Sequence, residues 1–228
     1  QIVCNIDRIK EADPSMTEMQ YKHWKSQGLC MKAYALYQMS LIWGDIPVQN
    51  SIPPAITAEN VEEVYFEYYP PRTSKDDVYQ QLIEELTWAT QNGPEVDHSN
   101  KYLLSKAFAH GMLARVYAEK SAHQDWNKVA EHCEIVEGMG FTLCEDYGQM
   151  WAYDDNDAVR NTSESIFEVT WTRDNGHWIW MMYHRNYYDP NNSYTWIKWI
   201  TPSRDLIAAY AAEGDTERAN ACITYDQT

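Results

Sequence analysis

A helical period sustained from Met16 to Trp43, and then stopped within a few residues, constrains this chain more than any other feature. Tyr21, Trp24, Gly28, Met31, Ala35, Met39 and Ile42 recur at intervals of three and four, while Glu18, Lys22, Lys25 and Lys32 fall on another face. Side chains at those intervals lie above one another on an α-helix, so the spacing predicts one long helix that buries that apolar stripe. Gly44 can cap it and Pro47 cannot continue it, so the helix ends in Trp43 to Gln49, WGDIPVQ.

A Pro-rich and Tyr-rich loop of about 25 residues follows, a length that in a compact domain marks function or disorder. Thr73 to Asp77 then reads as a helix start: Ser74 can accept from the first free amides, and Asp76 and Asp77 sit at the positive end of the dipole. That helix runs to about Thr90 with Tyr79, Leu82, Ile83, Leu86 and Ala89 inward, and Asn92-Gly93-Pro94 stops it. A third helix covers Lys101 to Ser121, where Ala107, Gly111, Ala114 and Ala118 make a flat stripe for a close helix neighbour. A fourth covers Trp126 to Glu137, with Trp126, Val129, Ala130, Cys133 and Val136 inward, and stops at Gly138. The last two, joined by the turn at His123 to Asp125, form an antiparallel pair of about tetratricopeptide length.

Beyond them the texture changes. Ser165 to Thr172 alternates apolar and polar residues like a short strand, Arg173 to Ile200 has no helical period, and Ser203 to Ala212 is again amphipathic. The expected architecture is mainly α: a tetratricopeptide-like helical repeat scaffold with long aromatic loops and little strand. Residues 1–150 hold the repeat-like helices, and residues 151–228 hold the strand, the aromatic loop and the following helix.

With 18 Lys and Arg against 34 Asp and Glu, the net charge of −16 argues against nucleic acid as a partner. The longest stretch free of charged residues, Ile46 to Ala58, contains Pro47, Pro53 and Pro54 and is too short to span a bilayer. Cys4, Cys30, Cys133, Cys144 and Cys222 fit no metal or redox spacing, and most of them read as buried thiols. The sequence opens at Gln1 with no initiator Met, leader or acylated Cys, which suits a piece of a longer protein.

Between Trp171 and Trp199 stand nine Trp and Tyr residues, about twice the density of aromatics in the chain as a whole. A sugar ring packs its C–H groups on an aromatic face and offers hydroxyls to amides and charges. Trp178, Trp180, Tyr187, Tyr188, Trp196 and Trp199, with Arg185 and Asn192 beside them, are therefore the candidate ligand-binding residues. Packing of the same aromatics onto the helices is the competing reading. Asp154, Asp155 and Asp157 could gather calcium but lack the glycine and distal Glu of an EF-hand loop, and a solvated acidic turn is the simpler account. Glu164 with Glu168, or Asp174 with Asp189, could be imagined as a glycosidase pair, although such pairs arise by chance in so acidic a chain. No histidine pairs with another four residues on, and no GxSxG, P-loop or GxGxxG occurs, so no catalytic residue, metal or cofactor is expected.

Several segments together resemble the SusD/RagB family of outer-membrane nutrient-binding lipoproteins of Bacteroidetes. Met31 to Tyr34 leading to Trp43-Gly44-Asp45-Ile46-Pro47-Val48 is similar to that family's helix and its Phe-Gly-Asp-Val-Pro-Leu exit. Pro71-Arg72-Thr73-Ser74 with Val78-Tyr79 and Ile83 to Leu86, Lys106 to Tyr117 with Leu113-Ala114-Arg115-Val116, and Trp126 with Ala130 follow in family order. So do Phe141-Thr142-Leu143, Tyr147 and Glu164 to Glu168. Lys32 stands where the family usually has Arg, Phe108 replaces a small residue, and Trp151 falls where Phe is common. The resemblance implies a non-enzymatic receptor for oligosaccharides or glycans, held to the outer face of the outer membrane through an N-terminal lipidated Cys not present in this segment. It also implies a SusC-like TonB-dependent transporter as partner. A tetratricopeptide protein-interaction scaffold and a glycoside hydrolase are the rivals.

Overall fold

A computed structural model describes residues 2–151, 160–169 and 202–223. Its helices are α1 (Ile2–Ala12), α2 (Glu18–Trp43), α3 (Tyr65–Tyr68), α4 (Lys75–Asn92), α5 (Lys106–Ala118), α6 (Trp126–Glu137), α7 (Arg204–Glu213) and α8 (Thr216–Cys222). Two strands of two residues each, β1 (Ile46–Pro47) and β2 (Arg72–Thr73), pair antiparallel, Ile46 opposite Thr73. The chain forms two compact units, Gln1–Thr142 with Ser165–Phe167, and Leu143–Glu164 with Glu168–Thr228.

The first unit is a row of helices in which α2 packs on α4, α4 on α5, and α5 on α6, with α1 against α2. Thr17 starts α2 with a capping box: its hydroxyl accepts from the Gln20 amide, and the Gln20 side chain accepts from the Thr17 amide. Gly44 ends it at φ +70°, a conformation that suits glycine. The core is formed by Cys30, Ala33, Leu36 and Tyr37 of α2, Val78, Tyr79, Leu82, Leu86 and Ala89 of α4, and Ala109, Met112, Leu113 and Val116 of α5. Each fully buried Val or Leu among them stabilises the fold by roughly 1.5–3 kcal/mol.

The buried side of α2 is not the one the spacing predicts. Ser26, Leu29, Cys30, Ala33, Leu36, Tyr37 and Ser40 face the core, whereas Trp24, Met31, Ala35 and Ile42 are exposed on the opposite side. Both sides carry a stripe at helical spacing, and the stripe with the smaller residues is the one that packs. The helix is legible as a helix but not as to which side it buries.

Two glycines in this unit have opposite surroundings. At Gly93, where α4 ends, a Cβ would stand 2.6 Å from the Ser26 hydroxyl of α2 and 2.7 Å from the Ala89 carbonyl, so only a hydrogen fits. At Gly111 a Cβ would meet no heavy atom within 4 Å, so the small stripe of α5 does not form the continuous close contact predicted from it. Ala107 and Ala114 are buried, yet Gly111 looks onto open space. The third helix is also shorter than its period suggests, because residues 101–105 are drawn into the loop before it, where Lys106 N donates to the Pro94 carbonyl. On α6 only Val136 is buried, while Trp126, Ala130 and Cys133 are exposed, against expectation. Of the five cysteines only Cys30 is buried, its thiol pushed up to about 12 by burial; all five are free thiols.

The WGDIPV exit is a clasp. The Asp45 carboxylate accepts the Lys75 amide at 2.9 Å, Ile46 is 1% exposed, and the strand pair closes the long loop at its base. Ser74 caps α4 by accepting from Asp77 N. Asp76 accepts the Ala122 amide at 2.9 Å, which holds the α5–α6 turn against the start of α4. Asp125 caps α6 by accepting from the Asn127 and Lys128 amides. Phe108, the residue that departs from the family's small one, meets Phe167 edge-on at 5.3 Å.

Lys32 donates to Glu85 Oε1 at 2.7 Å and to Asn50 Oδ1 at 2.8 Å, and Gln81 donates to the same two acceptors. Glu85 Oε2 is buried without a hydrogen-bond partner. A lysine reaches one carboxylate oxygen at a time, whereas the guanidinium fork of arginine reaches two.

In the second unit a 3-10 turn spans Tyr147–Trp151, and Tyr147 N donates to Glu217 of α8 at 3.1 Å. Ser203 caps α7, Gly214 ends it in the left-handed region, and Asp215 caps α8. The helix predicted from Ser203 to Ala212 is α7. No strand forms over 165–169; Thr170 to Thr172 lie outside the described residues. Alternation alone does not make a strand where no neighbour supplies the other half of the hydrogen bonds.

Three substitutions test this packing by thermal or denaturant unfolding. Gly93→Ala should destabilise by roughly 1–3 kcal/mol through overpacking, and Gly111→Ala should stabilise by about 0.5–1 kcal/mol because a helix gains from losing a glycine. Lys32→Arg should add about 1 kcal/mol by engaging Glu85 Oε2.

Candidate functional site

The eight ligand-binding residues predicted from sequence, Trp178, Trp180, Arg185, Tyr187, Tyr188, Asn192, Trp196 and Trp199, lie outside the described residues, as do Asp154, Asp155 and Asp157. The imagined carboxylate pair fares differently. Glu164 accepts the Cys144 amide at 2.7 Å, and Glu168 accepts the Asn161 amide at 3.0 Å. Each of these contacts holds a backbone amide and so has a structural role.

The loop between β1 and β2 places an aromatic group on the surface. Asn60 organises its first half, accepting the Thr57 amide at 2.7 Å and donating to the Ala55 carbonyl at 3.0 Å. Val64 is 5% exposed and anchors the single turn of α3. Tyr68 OH donates to the Pro54 carbonyl at 2.7 Å and ties that turn back across the loop. The remaining rings project outward: Tyr65, Phe66 and Tyr69 are 54%, 71% and 68% exposed. Tyr65 meets Phe66 edge-on at 5.3 Å and Tyr69 at 5.2 Å. The Tyr-rich composition of the loop signals such a group, but composition does not distinguish which of its rings turn outward.

A shallow cleft of about 360 Å³ opens beside the start of α2 and the end of α4, lined by Glu18, Lys22, His23, Asn92, Glu95 and Lys106 among others. Lys106 is already paired with Glu95.

His110 of α5 and His132 of α6 stand with their Nδ1 atoms 3.0 Å apart, and Tyr117 stacks on the His132 ring at 5.8 Å. The contact joins residues far apart in sequence, so no local spacing could reveal it. Burial holds both imidazoles below their ordinary range; His132 and Lys106 add to this at His110 and Lys128 at His132, while Glu131 opposes it at both. One Nδ1 must donate to the other, so the pair holds a single proton between the facing nitrogens. Among the described residues no three His, Cys, Asp or Glu side chains are grouped to hold a metal, and no helix is long and apolar enough to cross a membrane.

A row of antiparallel helix pairs with aromatics presented on loops outside the row defines a helical-repeat scaffold of the kind that carries surface binding sites. A family model described as "Starch-binding associating with outer membrane" matches residues 2–118, just over half of the chain, and the chain belongs to this SusD-like family. A SusD-like protein of Bacteroides ovatus is 27% identical over 153 residues, 62% of this chain and 25% of that protein. The chain therefore spans about a quarter of this curated relative's length. Among solved structures, a SusD superfamily protein from Bacteroides vulgatus aligns with a TM-score of 0.57 at 18% identity, over 74% of this chain and 33% of that one. A SusD-like protein from Bacteroides fragilis aligns with a TM-score of 0.54 at 21% identity, over 74% and 32%. A third structure, solved with a xylogluco-oligosaccharide, aligns with a TM-score of 0.54 at 22% identity, over 78% and 35%. These likenesses place the helical fold in the SusD group and bear out both the resemblance and the mainly α, tetratricopeptide-like architecture.

The histidine pair gives a pH dependence with a defined sign. A histidine whose folded value is depressed contributes stability that is present above the unfolded value, near 6.5, and is lost as pH falls through the folded value. The melting temperature should therefore decline as pH is lowered below about 6.5. His110→Asn combined with His132→Gln should flatten that decline, read by calorimetry across the same pH series.

Proposed function

We propose that this chain is part of a non-catalytic cell-surface receptor that binds oligosaccharides or glycans for uptake through a SusC-like TonB-dependent transporter. The observation that carries the proposal is the family match over residues 2–118, in a family described as starch-binding and associated with the outer membrane. A structural relative that holds a xylogluco-oligosaccharide supports the same ligand class. Lipid anchoring on the outer face, through an N-terminal Cys beyond this segment, completes the reading.

In this reading residues 1–150 form the scaffold and residues 151–228 carry the ligand contacts. Trp178, Trp180, Tyr187, Tyr188, Trp196 and Trp199 stack on sugar rings, while Arg185 and Asn192 meet hydroxyl groups. Aromatic stacking suits ligands whose rings offer C–H faces and whose rims are polar. The acidic balance serves solubility, because a neutral glycan gains little from a focused field.

Alanine substitution of Trp178, Trp180, Trp196 and Trp199 in the full-length protein, with glycan affinity and melting temperature measured together, tests this assignment. Each ring that meets sugar should cost on the order of 1–3 kcal/mol of affinity at unchanged stability. Loss of stability with intact binding in all four would make them core. Affinity for a neutral oligosaccharide should barely move between low and high salt.

A further inference from the structure

We infer that Tyr65, Phe66 and Tyr69, on the loop between β1 and β2, form a platform for one pyranose ring of a neutral oligosaccharide. The inference rests on the glycan-binding reading and adds to it a site on the scaffold itself, apart from residues 171–199.

A turn that merely closes a loop has no reason to leave three adjoining rings in water. Here the turn is fixed by its apolar anchor: Val64 is 5% exposed, while Tyr65, Phe66 and Tyr69 are more than half exposed. A contiguous exposed apolar patch is unfavourable unless something covers it, and such patches mark binding sites. The patch is held in place before any ligand arrives. Tyr68 OH on the Pro54 carbonyl, Asn60 on Thr57 and Ala55, and the Ile46–Thr73 pair at the base of the loop fix its course. Ordering has thus already been met in the free protein, which favours affinity even for a small contact.

The chemistry of the group selects a sugar. Ring faces suit the C–H side of a pyranose, and Tyr65 and Tyr69 keep hydroxyls with no hydrogen-bond partner among the described residues. Glu62, Glu63 and Glu67, in and just before the same turn, are exposed and unpaired with any cation among the described residues. Carboxylates accept strong hydrogen bonds from sugar hydroxyls at the rim of a stacked ring. They also set the ligand's charge. Residues 49–71 hold Glu59, Glu62, Glu63 and Glu67 and no Lys or Arg, so a uronate, sulfated or sialylated sugar on the platform would meet like charge from the turn itself. The platform therefore takes neutral sugars.

The test compares the intact protein with its Tyr65→Ala/Tyr69→Ala variant by calorimetric titration, using maltoheptaose and a xyloglucan heptasaccharide as neutral probes and trigalacturonate as the acidic one. The expected result is binding of at least one neutral probe, weakened at least about tenfold in the variant at an unchanged melting temperature, and no binding of trigalacturonate. Phe66→Gln removes the most exposed ring and should weaken binding in the same way; it decides the matter if the double variant melts early. Neutral-probe affinity that both variants keep overturns the platform and leaves the glycan-receptor reading standing. Binding of trigalacturonate alone overturns the neutral assignment. A wild-type protein that binds no glycan overturns the receptor reading and the platform with it.

Discussion

The first unit depends on α4 being buried along one whole side while two other helices lean on it. Val78, Tyr79, Leu82, Leu86 and Ala89 are fully buried, and α2 and α5 both close onto that side. Each neighbour is then located by contacts with α4 that admit little change. Gly93 lets the end of α4 touch Ser26 of α2, Tyr37 and Tyr79 stack at 6.1 Å near its start, and Asp76 in its first turn holds the α5–α6 turn. Close-packed interiors transmit such constraints because they have no slack to absorb them.

How much of this could be read from the sequence follows from which signals are local. Helix limits depend on caps and breakers a few residues away, and Thr17, Ser74, Asp125, Ser203 and Gly214 act as their chemistry suggests. Which side of a helix is buried is a tertiary matter. In α2 the two sides compete, and Leu29, Leu36 and Tyr37 join the core with α4 and α5 while Trp24, Met31 and Ile42 stay exposed. Gly111 shows the same limit, since a stripe of small residues permits close approach but does not compel it. The alternation from Ser165 onward carried no strand over its described residues, because a strand needs a partner that alternation cannot supply. Of the site, the aromatic richness of residues 171–199 and of the loop was visible in composition, whereas the outward turn of Tyr65, Phe66 and Tyr69 depends on the anchoring of Val64 and Tyr68.

Family membership gives physical meaning to motifs that otherwise look like coincidence. The Gly-Asp-Ile-Pro of the exit supplies a glycine cap at positive φ, a carboxylate for the next helix start, a buried anchor and a residue of the short strand, in that order. Lys32, the departure from the family's Arg, is visible in the structure as one orphaned carboxylate oxygen. The outer side of α6, with Trp126, Ala130 and Cys133 exposed, is the kind of surface onto which a further layer of a helical row packs.

The clasp of Asp45, Ile46 and Thr73 separates the fate of the loop from that of the helices. Once its two ends are pinned at the base, the entropy of closing a loop grows only with the logarithm of its length, about 0.6 kcal/mol for each doubling. Insertions and deletions between those pins would leave α2 and α4 in register at small thermodynamic cost. The position is therefore evolutionarily permissive: one scaffold can present loops of many lengths and different rings, and diversify what it recognises without being refolded.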